Sequence, residues 1–321
     1  MVSRETNKSQ TVEKKPFSQR LKLGISLVLL GLATTFLAFV ICFIIGDNFY
    51  HGNILTSREE PAESEVESRP TEEASESKFR EINFQPVIDE FVNGSGGNKS
   101  VIVYDLDREQ LAGVYNPTSE YNTASLYKLF VVYEGYRRLE DHTWEANEMA
   151  ASTGYTILEC LDLAIRESNS PCAETLLTII GRSELSSVIQ NDFGILHTDV
   201  SRFASTPEDI LEIMKLFYHH DDITDGTLIS TMKDSFLNQP ATSYNWRQGL
   251  PSGFNYAKVY NKVGWDFNVK KKIWNIYHDT AIVEFPEDNR HFAIVVMTNN
   301  VPYQKSKQFG SAFENYYLEN R

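Results

Sequence analysis

Phe84, Val87, Ile88 and Phe91 recur at helical spacing, which predicts an amphipathic helix. Asn93-Gly-Ser-Gly-Gly-Asn98 breaks it, and Ser100-Val-Ile-Val-Tyr-Asp105 reads as a strand. Helices are predicted over Ser125 to Arg138, Ile157 to Glu167 and Pro171 to Ile180, the last closed by Gly181. Thr206-Pro207-Glu208-Asp209 supplies an N-cap, a proline at the first helical position and acids in the first turn. It opens a fourth helix running to about Phe217. Strands return over Tyr256 to Val263, Asp279 to Phe285 and His291 to Thr298. The run Phe292 to Met297 is almost wholly apolar, as in a strand buried on both faces. Phe309, Phe313 and Tyr317 mark a closing helix. Strands at both ends with helices between predict an α+β fold. Its antiparallel sheet is built from the two ends of the domain, with flanking helices and an all-helical lobe.

The N-terminal pattern differs. Between Lys22 and Asp47 lie 24 residues without a charge. As a helix they cross a hydrocarbon core of about 30 Å. Arg4, Lys8, Lys14, Lys15, Arg20 and Lys22 precede them against Glu5 and Glu13, so the N-terminus is expected in the cytoplasm and the rest outside. The stretch is too long for a typical signal-peptide core. Ile41 stands before Cys42 where a lipoprotein site would carry a small residue. Ser57 to Arg80 holds eight Glu, two Pro and five Ser, a composition too poor in apolar surface to fold. The expected organisation is a basic cytoplasmic segment (1–22), a transmembrane helix (23–46), a disordered acidic linker (47–80) and an extracytoplasmic domain (81–321) on the cell membrane.

Composition narrows the function. Thirty basic against 44 acidic residues give a net charge of −14, which argues against nucleic acid as a partner. Three cysteines, Cys42, Cys160 and Cys172, exclude a disulfide-built scaffold and a four-cysteine zinc site. Cys160 and Cys172 fall in predicted helices and are expected as unpaired thiols. His219-His220-Asp221-Asp222 reads as a solvated turn rather than a metal site, so no metal or cofactor is expected. His278 and Asp279 are adjacent on a strand and point to opposite faces, which keeps them from pairing.

Ser-x-x-Lys occurs at Ser75, Ser125 and Ser230. Ser75 lies in the acidic spacer, and Ser230 has no accompanying partners. Ser125-Leu-Tyr-Lys128 opens an apolar helix on which Lys128 shares a face with Ser125. A lysine activates a serine only when neutral. Moving its pKa from ~10.4 to near 7 costs roughly 4 to 5 kcal/mol, which burial and a second cation can supply.

From Ser168-Asn-Ser-Pro-Cys-Ala-Glu-Thr-Leu-Leu-Thr-Ile-Ile to Gly181 the chain resembles the Ser-Asp-Asn motif and following helix of class A β-lactamases. Lys262-Val-Gly264 is similar to their Lys-Thr-Gly, and His278 to Val283 to a closing strand. With Ser125-x-x-Lys128 these are the signatures of penicillin-recognising serine enzymes, in order. The resemblance covers Phe84 to the C-terminus and implies a β-lactamase/transpeptidase-like fold.

It also implies roles. Ser125 would be acylated, with Lys128 as base or proton relay. Ser168 would pass a proton to the leaving nitrogen. Lys262 would hold the substrate carboxylate and poise Lys128. The backbone N–H groups of Ser125 and Trp265 would form the oxyanion hole. Ser170, Val263 and Gly264 would line the substrate. The implied substrate is a β-lactam, or the peptidoglycan stem peptide if the protein is a DD-peptidase. A catalytically silent module binding peptidoglycan or a protein is the rival class.

Departures from the pattern carry weight. Asn169 and Ser170 replace Asp and Asn, and Val263 replaces a hydroxyl residue. The glutamate that activates the deacylating water in class A enzymes has no counterpart before Thr206, where Asp192 and Asp199 are the nearest acids. An acyl-enzyme is therefore expected to persist.

Overall fold

The apolar run predicted to be buried on both faces is the centre of the sheet. In the computed structural model, which describes residues 79–239, 246–268, 270 and 273–321, Phe292 to Met297 are each fully buried. Ala293, Val295 and Met297 face one hydrophobic core, and Phe292, Ile294 and Val296 face the other. The period of two along a strand divides one apolar segment between two layers.

The elements run α1 (Gln85–Gly94), β1 (Asn98–Asp105), β2 (Gln110–Tyr115) and β3 (Tyr121–Asn122), then a 3-10 turn over Ala124–Leu126. They continue as α2 (Tyr127–Glu140), β4 (Met149–Ala150), β5 (Tyr155–Thr156), α3 (Ile157–Arg166), α4 (Ser170–Ile180) and α5 (Arg182–Asn191). Next come β6 (Ala204–Ser205), α6 (Pro207–His219) and α7 (Gly226–Leu237), a 3-10 turn over Leu250–Gly253, then β7 (Lys258–Asn268), β8 (Ile273–Phe285), β9 (Arg290–Asn299) and α8 (Tyr303–Asn320).

The sheet order is β2-β1-β9-β8-β7, antiparallel throughout. Strand β1 pairs with β9, so the two ends of the domain do form one sheet. Helices α1 and α8 cover one face, where Phe84 stacks on Phe313 at 4.1 Å and Phe285 on Tyr317 at 3.7 Å. The helical lobe covers the other, with α2 buried along nearly its whole length. This is the expected α+β arrangement.

Helix α6 starts as predicted, with the Thr206 hydroxyl accepting from the Asp209 N–H at 3.3 Å. Among the longer elements β2, α5 and α7 carry no clear period and are not foreseen from the sequence, nor are the two-residue strands β3 to β6. The predicted helix at Ser125 is divided, with a 3-10 turn holding Ser125 and the α-helix starting at Tyr127.

One expectation is corrected. Cys160 and Cys172 are not free thiols but a disulfide, with Cα atoms 4.9 Å apart. Helices α3 and α4 are joined by only Glu167, Ser168 and Asn169, so the chain returns on itself and brings the cysteines together. The expected span at 23–46 lies outside the described residues. Among the described residues no helix is long and apolar enough to cross a membrane.

Candidate active site

Three elements far apart in sequence deliver the three motifs to one place. The 3-10 turn holds Ser125, half-buried, one turn before Lys128. Ala124 before it takes φ +45°, a left-handed conformation disfavoured for a residue with a Cβ. Neighbours hold it there. The Thr123 N–H donates to the Phe203 carbonyl at 2.7 Å, and the Ala124 N–H to Asn122 Oδ1 at 2.9 Å. His278 Nε2 donates to the Asn122 carbonyl at 2.8 Å, while its Nδ1 accepts from the Thr298 N–H at 2.9 Å. The ring is thus a neutral imidazole, and burial drives its pKa down to about 4. Asp279 points the other way, accepting from Asn261 Nδ2 and the Leu250 N–H. The two do not pair.

Lys128 is fully buried, and its ammonium group spends all three donors on one turn. It reaches the Ser168 carbonyl at 2.5 Å, Ser168 Oγ at 3.3 Å and Ser170 Oγ at 3.1 Å. Among the described residues Ser125 Oγ takes no hydrogen bond from Lys128, although the sequence placed both on one helix face. Lys262 approaches from β7, donating to Ser168 Oγ at 2.9 Å and to the Val263 carbonyl at 2.8 Å. Two buried amines therefore share one hydroxyl oxygen. Burial lowers Lys128 to about 8. Burial, and then the charge of Lys128, carry Lys262 well below the ordinary lysine value.

Ser168 itself has φ +55°. Asn169 serves structure, its Oδ1 accepting from the Cys172 N–H at 3.0 Å as the N-cap of α4. Ser170 is exposed at the first position of that helix and faces Lys128. Val263 is buried, and its carbonyl rather than its side chain reaches the site.

Gly264 lies against the Ser125 turn. A Cβ there would stand 2.6 Å from the Thr123 carbonyl oxygen and 2.8 Å from Leu126 Cγ. Only a glycine lets the edge strand β7 come this close. Trp265 follows it, stacking on Tyr303 with ring centroids 5.4 Å apart.

The acids stand elsewhere. Asp192 pairs with Arg137, and Asp199 is held by Ser201 and Arg202. Sequence reasoning passed over Glu174, one helical turn after Ser170 on α4 and hence on the same face. It accepts from the Tyr127 hydroxyl at 2.7 Å and from Arg182 at 3.0 Å. Its charge opposes the burial effect on Lys128.

Two amines, a bridging hydroxyl and a half-buried serine form a set able to accept, relay and return a proton beside a nucleophile. Among the described residues no cluster of three His, Cys, Asp or Glu side chains could hold a metal ion. The family model described as beta-lactamase enzyme family matches residues 83–312. The chain belongs to that family. An ancestral class A β-lactamase (GNCA) superposes with a TM-score of 0.62 at 14% identity, covering 73% of this chain and 99% of that one. A β-lactamase from Xanthomonas campestris pv. campestris gives 0.62 at 13% identity, covering 72% and 96%. One from Chitinophaga pinensis gives 0.61 at 14%, covering 72% and 97%. No curated protein sequence matches the chain. These structures are alike in fold, and the chain shares the β-lactamase-like α+β fold.

Proposed function

We propose that this protein is an acyl-transfer enzyme that opens carboxylate-bearing β-lactams through Ser125. The observation that carries the reading is the convergence of Lys128 Nζ and Lys262 Nζ on Ser168 Oγ. In the neutral form Lys128 gives up one of its three bonds, turns to Ser125 Oγ and takes its proton as that oxygen attacks the carbonyl carbon. The backbone N–H groups of Ser125 and Trp265 receive the oxyanion, an interaction often worth ~3 to 4 kcal/mol. Ser168 Oγ accepts from both lysines, so its own proton is free to pass to the leaving nitrogen. A substrate carboxylate placed beside Lys262, together with loss of the charge on Lys128, restores to Lys262 the positive charge that burial and Lys128 disfavour.

Deacylation lacks an evident base. Among the described residues no carboxylate hydrogen-bonds Lys128, Ser168 or Ser125. Asp199 and Glu174 are each held by an arginine and a hydroxyl. This supports a long-lived acyl-enzyme, and with it the second reading, a penicillin-binding DD-peptidase acting on D-Ala-D-Ala cell-wall peptides. Placement outside the cell, anchored by residues 23–46, is part of the proposal, and protease added to whole cells would release the domain.

The deciding experiment mixes the full chain with a fluorescent penicillin and follows it by gel and intact mass. A lasting adduct on Ser125 supports the acyl-enzyme reading, and ring-opened product with a transient adduct supports a β-lactamase. Absence of both, with Ser125→Ala behaving the same, overturns the proposal in favour of a silent binding module.

A further inference from the structure

We infer that the Cys160–Cys172 disulfide is a positioning cross-link of the active site, and that acylation of Ser125 depends on its being formed. The inference rests on the acyl-transfer reading above.

The cross-link closes the segment that serves the lysines. Cys160 lies in α3 and Cys172 in α4, 12 residues apart. Between them stand Ser168, whose carbonyl and hydroxyl take Lys128, and Ser170, whose hydroxyl takes the same amine. Ser168 Oγ also takes Lys262. Every hydrogen bond of the Lys128 amine among the described residues thus ends inside one loop shut by one covalent bond.

That loop needs restraint. Ser168 holds φ +55° without being glycine, a conformation that persists only where the surroundings over-determine it. Hydrogen bonds supply part of the restraint. The Asn169 N–H donates to the Leu163 carbonyl at 3.0 Å, and Asn169 Oδ1 caps the Cys172 N–H at 3.0 Å. Trp246 Nε1 holds the Glu167 carbonyl at 3.1 Å. The disulfide lies two residues beyond Ser170 and ties the first turn of α4 to α3. Both cysteines are fully buried, so the bond is a strut packed inside the helical lobe. A shift of about 1 Å in the turn is enough to cost up to ~100-fold in a positioned reaction. Loosening it would also admit water to Lys128, whose lowered basicity depends on burial.

The test compares the full chain with its Cys160→Ala/Cys172→Ala variant, using fluorescent penicillin and counting only folded protein by near-ultraviolet circular dichroism. The expected result is a ~10- to 100-fold slower labelling. The pH midpoint of labelling moves upward, towards the ordinary lysine range. A lower melting temperature with unchanged rate and midpoint overturns the inference. If the variant does not fold, the wild type is reduced in place with a phosphine. The disulfide then takes up two electrons and two protons, and the phosphine becomes its oxide with oxygen from water. Unchanged labelling of a chain shown by mass to carry two thiols overturns the inference. If the untreated wild type never labels, the acyl-transfer reading fails by itself. The lysine side-chain NMR titration then decides the positioning claim: an upward move in the variant supports it, and no move overturns it.

Discussion

Lys262 Nζ donates to Ser168 Oγ at 2.9 Å, joining the edge strand of the sheet to the turn before α4 across 94 residues of sequence. This bond ties the sheet to the helical lobe at the point where the chemistry is proposed. It also makes Ser168 the acceptor for two amines, because Lys128 stands 3.3 Å from the same oxygen.

Ser168→Ala removes that shared oxygen. Acylation by fluorescent penicillin is expected to fall by ~100- to 10,000-fold, the usual range for a lost proton-transfer group. The melting temperature falls by a few degrees, because both buried amines lose an acceptor. Stopped-flow labelling and a thermal melt check the pair of effects. Unchanged labelling would remove Ser168 from the proton route.

Acylation is expected to rise with pH through about 8, the value to which burial lowers Lys128. The sign follows from the amine. Below that pH it is an ammonium and cannot accept the Ser125 proton, and above it the neutral base accumulates. At pH 7 about a tenth of the molecules hold it neutral. A labelling rate flat from pH 6 to 9 would exclude Lys128 as the base.

Gly264→Ala places a Cβ 2.6 Å from the Thr123 carbonyl oxygen, closer than such atoms approach. Strand β7 must withdraw from the Ser125 turn. A loss of about 1 to 3 kcal/mol of stability is expected, together with slower acylation. Denaturant melts and labelling rates on the same preparation measure both, and wild-type values for the two would show that the close approach is unimportant.

Asp279 predicts a pH-dependent stability. Burial raises its carboxyl group from 3.8 to about 7, against the opposing bonds of Asn261 and Leu250. The folded pKa exceeds the unfolded one, so its favourable contribution is complete below pH 4. That contribution is lost as pH rises towards 7, by an amount on the order of 4 kcal/mol. Asp279→Asn cancels the dependence. Relative to wild type, the variant should therefore gain stability between pH 4 and 7 in urea melts. A constant difference would mean that Asp279 is ionised throughout.

Much of the scaffold was legible in the chain. The unbroken apolar run from Phe292 to Met297, the cap at Thr206 and the helical spacing of Phe84, Val87, Ile88 and Phe91 are local patterns, and each became the element they predict. Strand β2 and helices α5 and α7 were not legible, because they take their order from packing rather than from a period of their own.

The sequence by itself determined the types of residue brought to the site and the order of the elements that bring them. Ser125, Lys128, Ser168 and Lys262 stand in motifs short enough to read by spacing. Only the tertiary structure decided their partners. Lys128 turned to the Ser168–Ser170 turn rather than to Ser125, Val263 offered its carbonyl rather than its side chain, and Cys160 met Cys172. The physical reason is that spacing fixes which face of an element a side chain occupies. A hydrogen bond or a disulfide is fixed by distances of a few ångströms between elements, and those are set by how the sheet and the helical lobe pack.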